Sequence, residues 1–170
     1  MNFLSVKEFF YKVNTIGFIL LLFPIIVFLY IHIYAMKSFP IMMEVTKHNM
    51  LFIFLTTVVA AILTVVNLIW RSRIRHMRSY LELSKKMEGF FVLFVIRNSV
   101  YAVCLLLTGG GYYLTHSIYF TCAFMLILVV LLVQWPGPKR FCRVFELKGS
   151  ERDLVLHNWD LVAKRKPKKG

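Results

Sequence analysis

An all-α membrane protein with four transmembrane helices and both termini in the cytosol is the fold class this sequence predicts. Apolar residues make up 59% of its 170 positions and the mean hydropathy is +0.68, outside the range of ordinary soluble domains. Those residues collect in four blocks, each close to the ~20 residues that cross ~30 Å of hydrocarbon. Lys and Arg are distributed unevenly: 2 precede the first block, 2 lie in the first loop, 6 in the second, 1 inside the third block and 10 after the fourth. By the positive-inside rule, that asymmetry places both termini and the second loop in the cytosol. The chain therefore divides into a four-helix transmembrane domain, residues 1–138, and a basic cytosolic tail, 139–170. No separate soluble catalytic domain fits.

The formal net charge of +13 raises the question of nucleic acid, but the positions of the cations argue against it. They cluster where anionic headgroups lie, and each is worth on the order of 1 kcal/mol of attraction there. The expected partners are a bilayer with anionic headgroups and other membrane proteins, not nucleic acid. Cys104 and Cys122 fall within spans and Cys142 in the tail, so no oxidised framework is implied.

Residues 1–13 read as a short amphipathic lead-in, with Phe9, Phe10 and Tyr11 for the interface and Lys7 and Lys12 for phosphates. The first span covers about 14–35. Tyr34-Ala35-Met36-Lys37 offers no small-x-small cleavage site, so the segment reads as an uncleaved anchor. Pro24 near its middle should bend it locally. An outer loop from Met36 to Asn49 leads to a second span, about 50–70, which ends on Arg71, Arg73, Arg75 and Arg78.

From Met77 apolar or small residues recur every three or four positions through Tyr80, Leu81, Ser84, Met87, Phe91, Phe94 and Val95. That spacing predicts one long third helix from about Met77 to Leu107, cytosolic at first and crossing the membrane over about 90–108. Gly109, Gly110 and Gly111 should then form a tight outer turn, since sharp reversals need backbone angles that glycine takes freely. The fourth span, about 113–135, stops at Pro136-Gly137-Pro138. In the tail, Phe141, Val144, Phe145 and Leu147 make an apolar patch among Lys139, Arg140 and Arg143. Ser150 and Asp153 have capping-box spacing and predict a short helix over about 151–158, with a hairpin at Lys148-Gly149 as the competing reading. Residues 164–170 read as a flexible basic tail.

A cytosolic LxLSxKxxxF segment, Leu81 to Phe90, runs into a span bearing Arg97-Asn98. A Pro-rich basic step follows from Trp135 to Arg140, and then a V-x-E-L-x-x-x-E-R-D-L tail from Val144 to Leu154. Together these resemble a group of small four-span membrane proteins of Bacteroidetes-type bacteria that has no established activity. The resemblance covers about the second half of the chain and implies architecture and a bacterial inner-membrane location only.

Three constellations bear on function. Arg97 lies about seven residues into the third apolar run, ~10 Å deep if helical, with Asn98 beside it. Asn14, Asn67 and Gln134 sit near the cytosolic ends of the other spans, so a polar layer at shared depth is expected. An Arg inside a span costs at least ~2.5 kcal/mol, so it must snorkel or find partners. No Asp or Glu lies in any span, leaving amides, carbonyls or a lipid phosphate. The layer reads as a clasp fixing helix register or as an anion-binding point.

The second constellation is His32, His48 and His116 on the outer side, with methionines and tyrosines nearby. It reads as an interfacial aromatic belt or as a haem or copper site, and the spacings match no metal signature. The third is the basic face of Arg71, Arg73, Arg75, Arg78, Lys139, Arg140 and Arg143, either solvated or docking anionic lipid or an acidic partner.

Absences exclude whole classes. Without an intramembrane carboxylate the chain does not match small proton-coupled exporters, and without CxxC it does not match four-span disulfide-generating enzymes. No Ser-His-Asp set, carboxylate pair or nucleotide loop can be assembled. The expectation is a non-enzymatic accessory or scaffold subunit contacting anionic lipid or partner membrane proteins, with no cofactor. The alternatives are a small transporter or channel using the layer around Arg97, and a haem or copper protein.

Overall fold

The computed structural model describes residues 5–37, 45–80, 82–115 and 117–157, the side chains of 35–37 and 45–49 excepted. Among the described residues it is helical, in the order α1 (Val6–Lys37), α2 (Val45–Met77), α3 (Leu83–Thr115), α4 (Ile118–Val133), α5 (Pro138–Val144) and α6 (Gly149–Leu156). Among the described residues three helical segments are long and apolar enough to cross a membrane: Val6–Tyr34, Met50–Met77 and Leu83–Thr115. With 16 residues α4 is shorter and meets that test only when counted with α5 across the break at 134–137, so the described residues hold three candidate spans, or up to four if that broken pair is one span.

Contacts divide the chain into two units, one from the described parts of Met1–Gly17, Ile69–Ile96 and Pro136–Gly170, the other from those of Phe18–Leu68 and Arg97–Trp135. The second unit is a bundle to which α1, α2, α3 and α4 all contribute. On α4 the buried residues Phe120, Phe124, Ile127 and Leu131 recur every three or four positions and make one apolar stripe. Phe124 stacks on Phe28 of α1 at 4.0 Å, and Phe120 meets the edge of Phe52 of α2 at 5.1 Å. The outside of this bundle is as apolar as its core. Ile26 on α1, Phe54 on α2, Leu114 on α3 and Leu126 on α4 are all more than half exposed, and similar residues surround them. A soluble protein rarely shows so much contiguous apolar surface, so hydrocarbon is the natural surroundings of these helices.

The first unit has a separate core built on phenylalanine. Phe9, Phe90, Phe94, Phe141 and Phe145 are almost fully buried, with Val6, Val13, Met87 and Val155 around them. Phe90 meets Phe141 edge-on at 5.1 Å and Phe145 at 5.9 Å, while Phe9 reaches Phe141 at 5.5 Å. Such edge-to-face pairs contribute about 0.5–1.5 kcal/mol each beyond their area burial. The patch at Phe141, Val144, Phe145 and Leu147 is therefore a structural anchor.

Several local expectations are corrected. Residues 6–13 are not a separate lead-in: α1 begins at Val6, where the Glu8 N–H donates to Ser5 Oγ at 3.1 Å, and it runs on through Pro24. Ser5-x-x-Glu8 has the spacing of a capping box. The third helix does not start at Met77, because that residue closes α2. Ser79 Oγ donates to the His76 carbonyl at 2.7 Å and short backbone bonds finish the helix, so the chain reverses before Leu83. Met77 and Leu83 bury into the same core from both sides of the reversal, which made the periodicity look continuous.

The glycine triplet is not a turn. Gly109, Gly110 and Gly111 lie inside α3, which continues to Thr115. A β-carbon on Gly111 would come within 2.5 Å of the Phe120 ring, so this glycine admits a close helix–ring contact. The tail is more helical than expected: 138–144 forms α5, and the second helix is 149–156 instead of about 151–158. Lys148 caps α6 without a side-chain bond, so the Ser150–Asp153 box does not form and Ser150 lies inside the helix. The expected 36–49 loop is shorter, since α1 runs to Lys37 and α2 starts at Val45; residues 38–44 and 164–170 lie outside the described residues.

Candidate functional site

The described part of the basic tail, residues 138–157, is folded, and its geometry follows from local sequence. Gly137 precedes α5 and Pro138 takes its first position, where a missing N–H costs nothing. At the other end Glu146 stands in the left-handed region, φ 52°, where helix C-termini usually place glycine. The Leu147 N–H donates to the Cys142 carbonyl at 3.0 Å and the Glu146 N–H to the Arg143 carbonyl at 3.3 Å, the pair of bonds of a Schellman reversal. The chain then returns as α6, which packs on α5.

Besides the phenylalanine contacts, two cationic side chains tie this hairpin to the rest of its unit. Arg78 donates from Nε to the Val144 carbonyl at 2.8 Å and from Nη1 to the Glu146 carboxylate at 2.5 Å. Lys86, buried at the start of α3, reaches Glu151 at 3.3 Å.

A cleft of about 650 Å³ opens on the hairpin, lined by Lys139, Cys142, Arg143, Glu146, Leu147, Lys148, Arg152 and Leu156. Lys139 and Arg143 are four apart on α5 and share one helix face, while Lys148 caps α6 and Arg152 stands in its first turn, and all four line the cleft. None of these four cations makes an ion pair among the described residues. Among the described residues Glu146 is the one carboxylate lining the cleft, and Arg78 holds it. Burial pushes the Cys142 thiol up, while the nearby Arg152 guanidinium pulls it the other way.

Of the seven cations expected to form the basic face, Lys139 and Arg143 line the cleft and Arg78 braces it. Arg140 is half-buried outside the lining, and Arg71, Arg73 and Arg75 are exposed along the end of α2. Lys148 and Arg152 were not anticipated. Their signal is the i, i+4 spacing on both sides of a Gly-containing reversal, which is visible once the tail is read as two helices.

The expected polar layer resolves differently. In the bundle unit Arg97 and Asn98 are both buried, and neither side-chain amide atom of Asn98 has a hydrogen-bond partner. Asn67 donates at 2.9 Å to the hydroxyl of Tyr101, four residues beyond Arg97, and at 2.9 Å to its own Leu63 carbonyl. That bond joins α2 to α3, and Tyr101 had not been foreseen as a partner. Gln134 is half-buried at the end of α4. Asn14 belongs to the other unit.

His32 packs beside the rings of Phe28 at 6.1 Å and Tyr112 at 5.4 Å, which also touch each other at 5.5 Å. The His48 side chain and His116 lie outside the described residues. Among the described residues no group of three His, Cys, Asp or Glu side chains is placed to hold a metal ion. No protein-family model, curated protein or solved structure matches the chain.

Proposed function

We propose that this chain is a non-enzymatic four-span protein of the bacterial inner membrane, both termini cytosolic, serving as an accessory or scaffold subunit that contacts anionic lipid. One observation carries the reading. The α5–α6 hairpin packs against a phenylalanine core and presents four cations without acidic partners among the described residues. A solvated tail has no reason to bury Phe141, Phe145 and Val155. A folded one holds its charges in fixed positions, and fixed cations next to a membrane span attract headgroups.

The apolar outward residues of α4, among them Leu126, Val129 and Val133, support its assignment as the fourth span despite its length. The excess of Lys and Arg in the second loop and tail supports the orientation, and the resemblance of the second half supports the bacterial inner membrane.

Single-cysteine labelling tests the topology: Arg75→Cys and Lys166→Cys should both react only after the cells are permeabilised. Truncation after Pro138 tests the role, and should leave the protein inserted but release it from its native complex on a blue native gel. A complex unchanged by the truncation would refute the scaffold reading.

Asn98 favours a second reading, a small transporter or channel. An amide 2% exposed with both polar atoms unpartnered is a polar spot inside an apolar bundle, and such groups mark solute pathways in membrane proteins. Asn98→Leu should abolish solute flux in reconstituted vesicles if this reading is right, and unchanged flux would dismiss it.

A further inference from the structure

We infer that the cleft between α5 and α6 binds one phosphomonoester-bearing lipid headgroup. The inference rests on the membrane reading above and gives its lipid contact a specific chemistry.

Charge decides the class of ligand. Lys139, Arg143, Lys148 and Arg152 face the cleft, and the one lining carboxylate among the described residues, Glu146, is occupied by Arg78. A phosphodiester headgroup brings a single negative charge, which leaves most of this field unmatched. A phosphomonoester brings about −1.5 to −2 at neutral pH and three acceptor oxygens. Two arginines supply planar forks that match phosphate, and two lysines supply point charges from the opposite ends of the two pairs.

Size and lining decide the rest. At about 650 Å³ the cleft far exceeds a bare phosphate and falls in the usual range for small organic ligands. Leu147 and Leu156 on its wall offer apolar contact to a glycerol or acyl-proximal segment.

Chain connectivity favours a lipid over a free metabolite. Only residues 134–137 separate α4 from α5, a tether of at most ~18 Å, so the hairpin stays within reach of the headgroup layer next to the proposed fourth span.

The test uses the full chain in an uncharged detergent, titrated calorimetrically with dioctanoyl phosphatidic acid, dioctanoyl phosphatidylglycerol and glycerol 3-phosphate. Phosphatidic acid should bind with one-to-one stoichiometry and roughly tenfold tighter than either of the others, the worth of one extra charge-assisted contact. Arg143→Gln and Arg152→Gln should each weaken phosphatidic acid about tenfold, with phosphatidylglycerol changed less than about twofold. Lys139→Gln, also exposed, gives an independent third variant, and Lys85→Gln, outside the cleft, should change nothing.

Glycerol 3-phosphate binding as tightly as phosphatidic acid would overturn the lipid assignment. Equal binding of several copies of both lipids, indifferent to the variants, would overturn the cleft and leave the membrane reading standing. Binding of neither lipid would overturn the anionic-lipid contact as well.

Discussion

Arg78 and Glu146, 68 positions apart in the chain, meet at 2.5 Å where α5 ends. The same guanidinium also donates to the Val144 carbonyl at 2.8 Å, one of the backbone acceptors that a helix C-terminus leaves open. Both side chains are substantially exposed, 41% and 65%, so the ion pair contributes only about 0–1 kcal/mol. The phenylalanine core beneath is worth more, with each fully buried ring contributing about 1.5–3 kcal/mol. The aromatic cluster therefore holds the hairpin in place. The Arg78 clamp braces its reversal and neutralises Glu146, the one acid among the described residues that lines the cleft.

Replacing Glu146 separates backbone strain from ion pairing. Glu146→Gly loses the pair with Arg78 but relieves a left-handed conformation that costs a β-carbon residue about 1 kcal/mol. Glu146→Ala loses the pair and keeps the strain. In thermal denaturation of the detergent-solubilised protein, the glycine variant should exceed the alanine variant by about 1 kcal/mol. Equal stability of the two would mean that the reversal is not left-handed.

The glycines of α3 give opposite outcomes at neighbouring positions. Gly111→Ala drives a β-carbon into the Phe120 ring and should destabilise the protein by about 1–3 kcal/mol. Gly110→Ala meets nothing within 4 Å and should stabilise it by up to about 1 kcal/mol through helix propensity. If the triplet were a tight turn instead, both substitutions would destabilise, so the sign at position 110 decides.

Asn67 and Tyr101 form an interhelical hydrogen bond that a double-mutant cycle can weigh. Tyr101→Phe and Asn67→Leu, singly and together, should give a coupling near 0.6 kcal/mol, the average for such bonds in membrane helices. A coupling indistinguishable from zero would show that the bond does not join α2 to α3.

Cys142 reports the electrostatics of the cleft. Burial raises its thiol, so little thiolate exists at neutral pH and alkylation should be slower than in the unfolded chain. Because Arg152 opposes that rise, Arg152→Gln should raise the thiol further and slow alkylation again. With a folded value above the unfolded one, the thiol's stabilising contribution is present below the unfolded value of about 8.5 and declines as the pH rises through the folded value. Peptide-level mass spectrometry from pH 7 to 10 reads the rates, and faster reaction in Arg152→Gln would contradict the assignment.

Helix positions and membrane character were legible because both depend on local composition. A run such as Ile118–Val133 is apolar whatever surrounds it, and a helix satisfies its own backbone. The positions where periodicity misled share a cause. Met77 and Leu83 bury in one core from two helices, and a spacing rule cannot see a reversal between them. Gly111 had the composition of a turn, but its use depends on the Phe120 ring of the following helix. Of the basic face, Lys139 and Arg143 were found by composition. Lys148 and Arg152 were missed because a tail read as solvated has no faces.

The sequence by itself determined that the chain is helical and largely suited to lipid, and how its positive charge is distributed along it. Those properties follow from each residue's own preference for hydrocarbon or water. Only the tertiary structure decided that residues 138–156 pack on a phenylalanine core, that Arg78 takes Glu146, and that four cations line one cleft. Each of these depends on contacts between residues far apart in the chain, and such contacts exist only once the helices have packed.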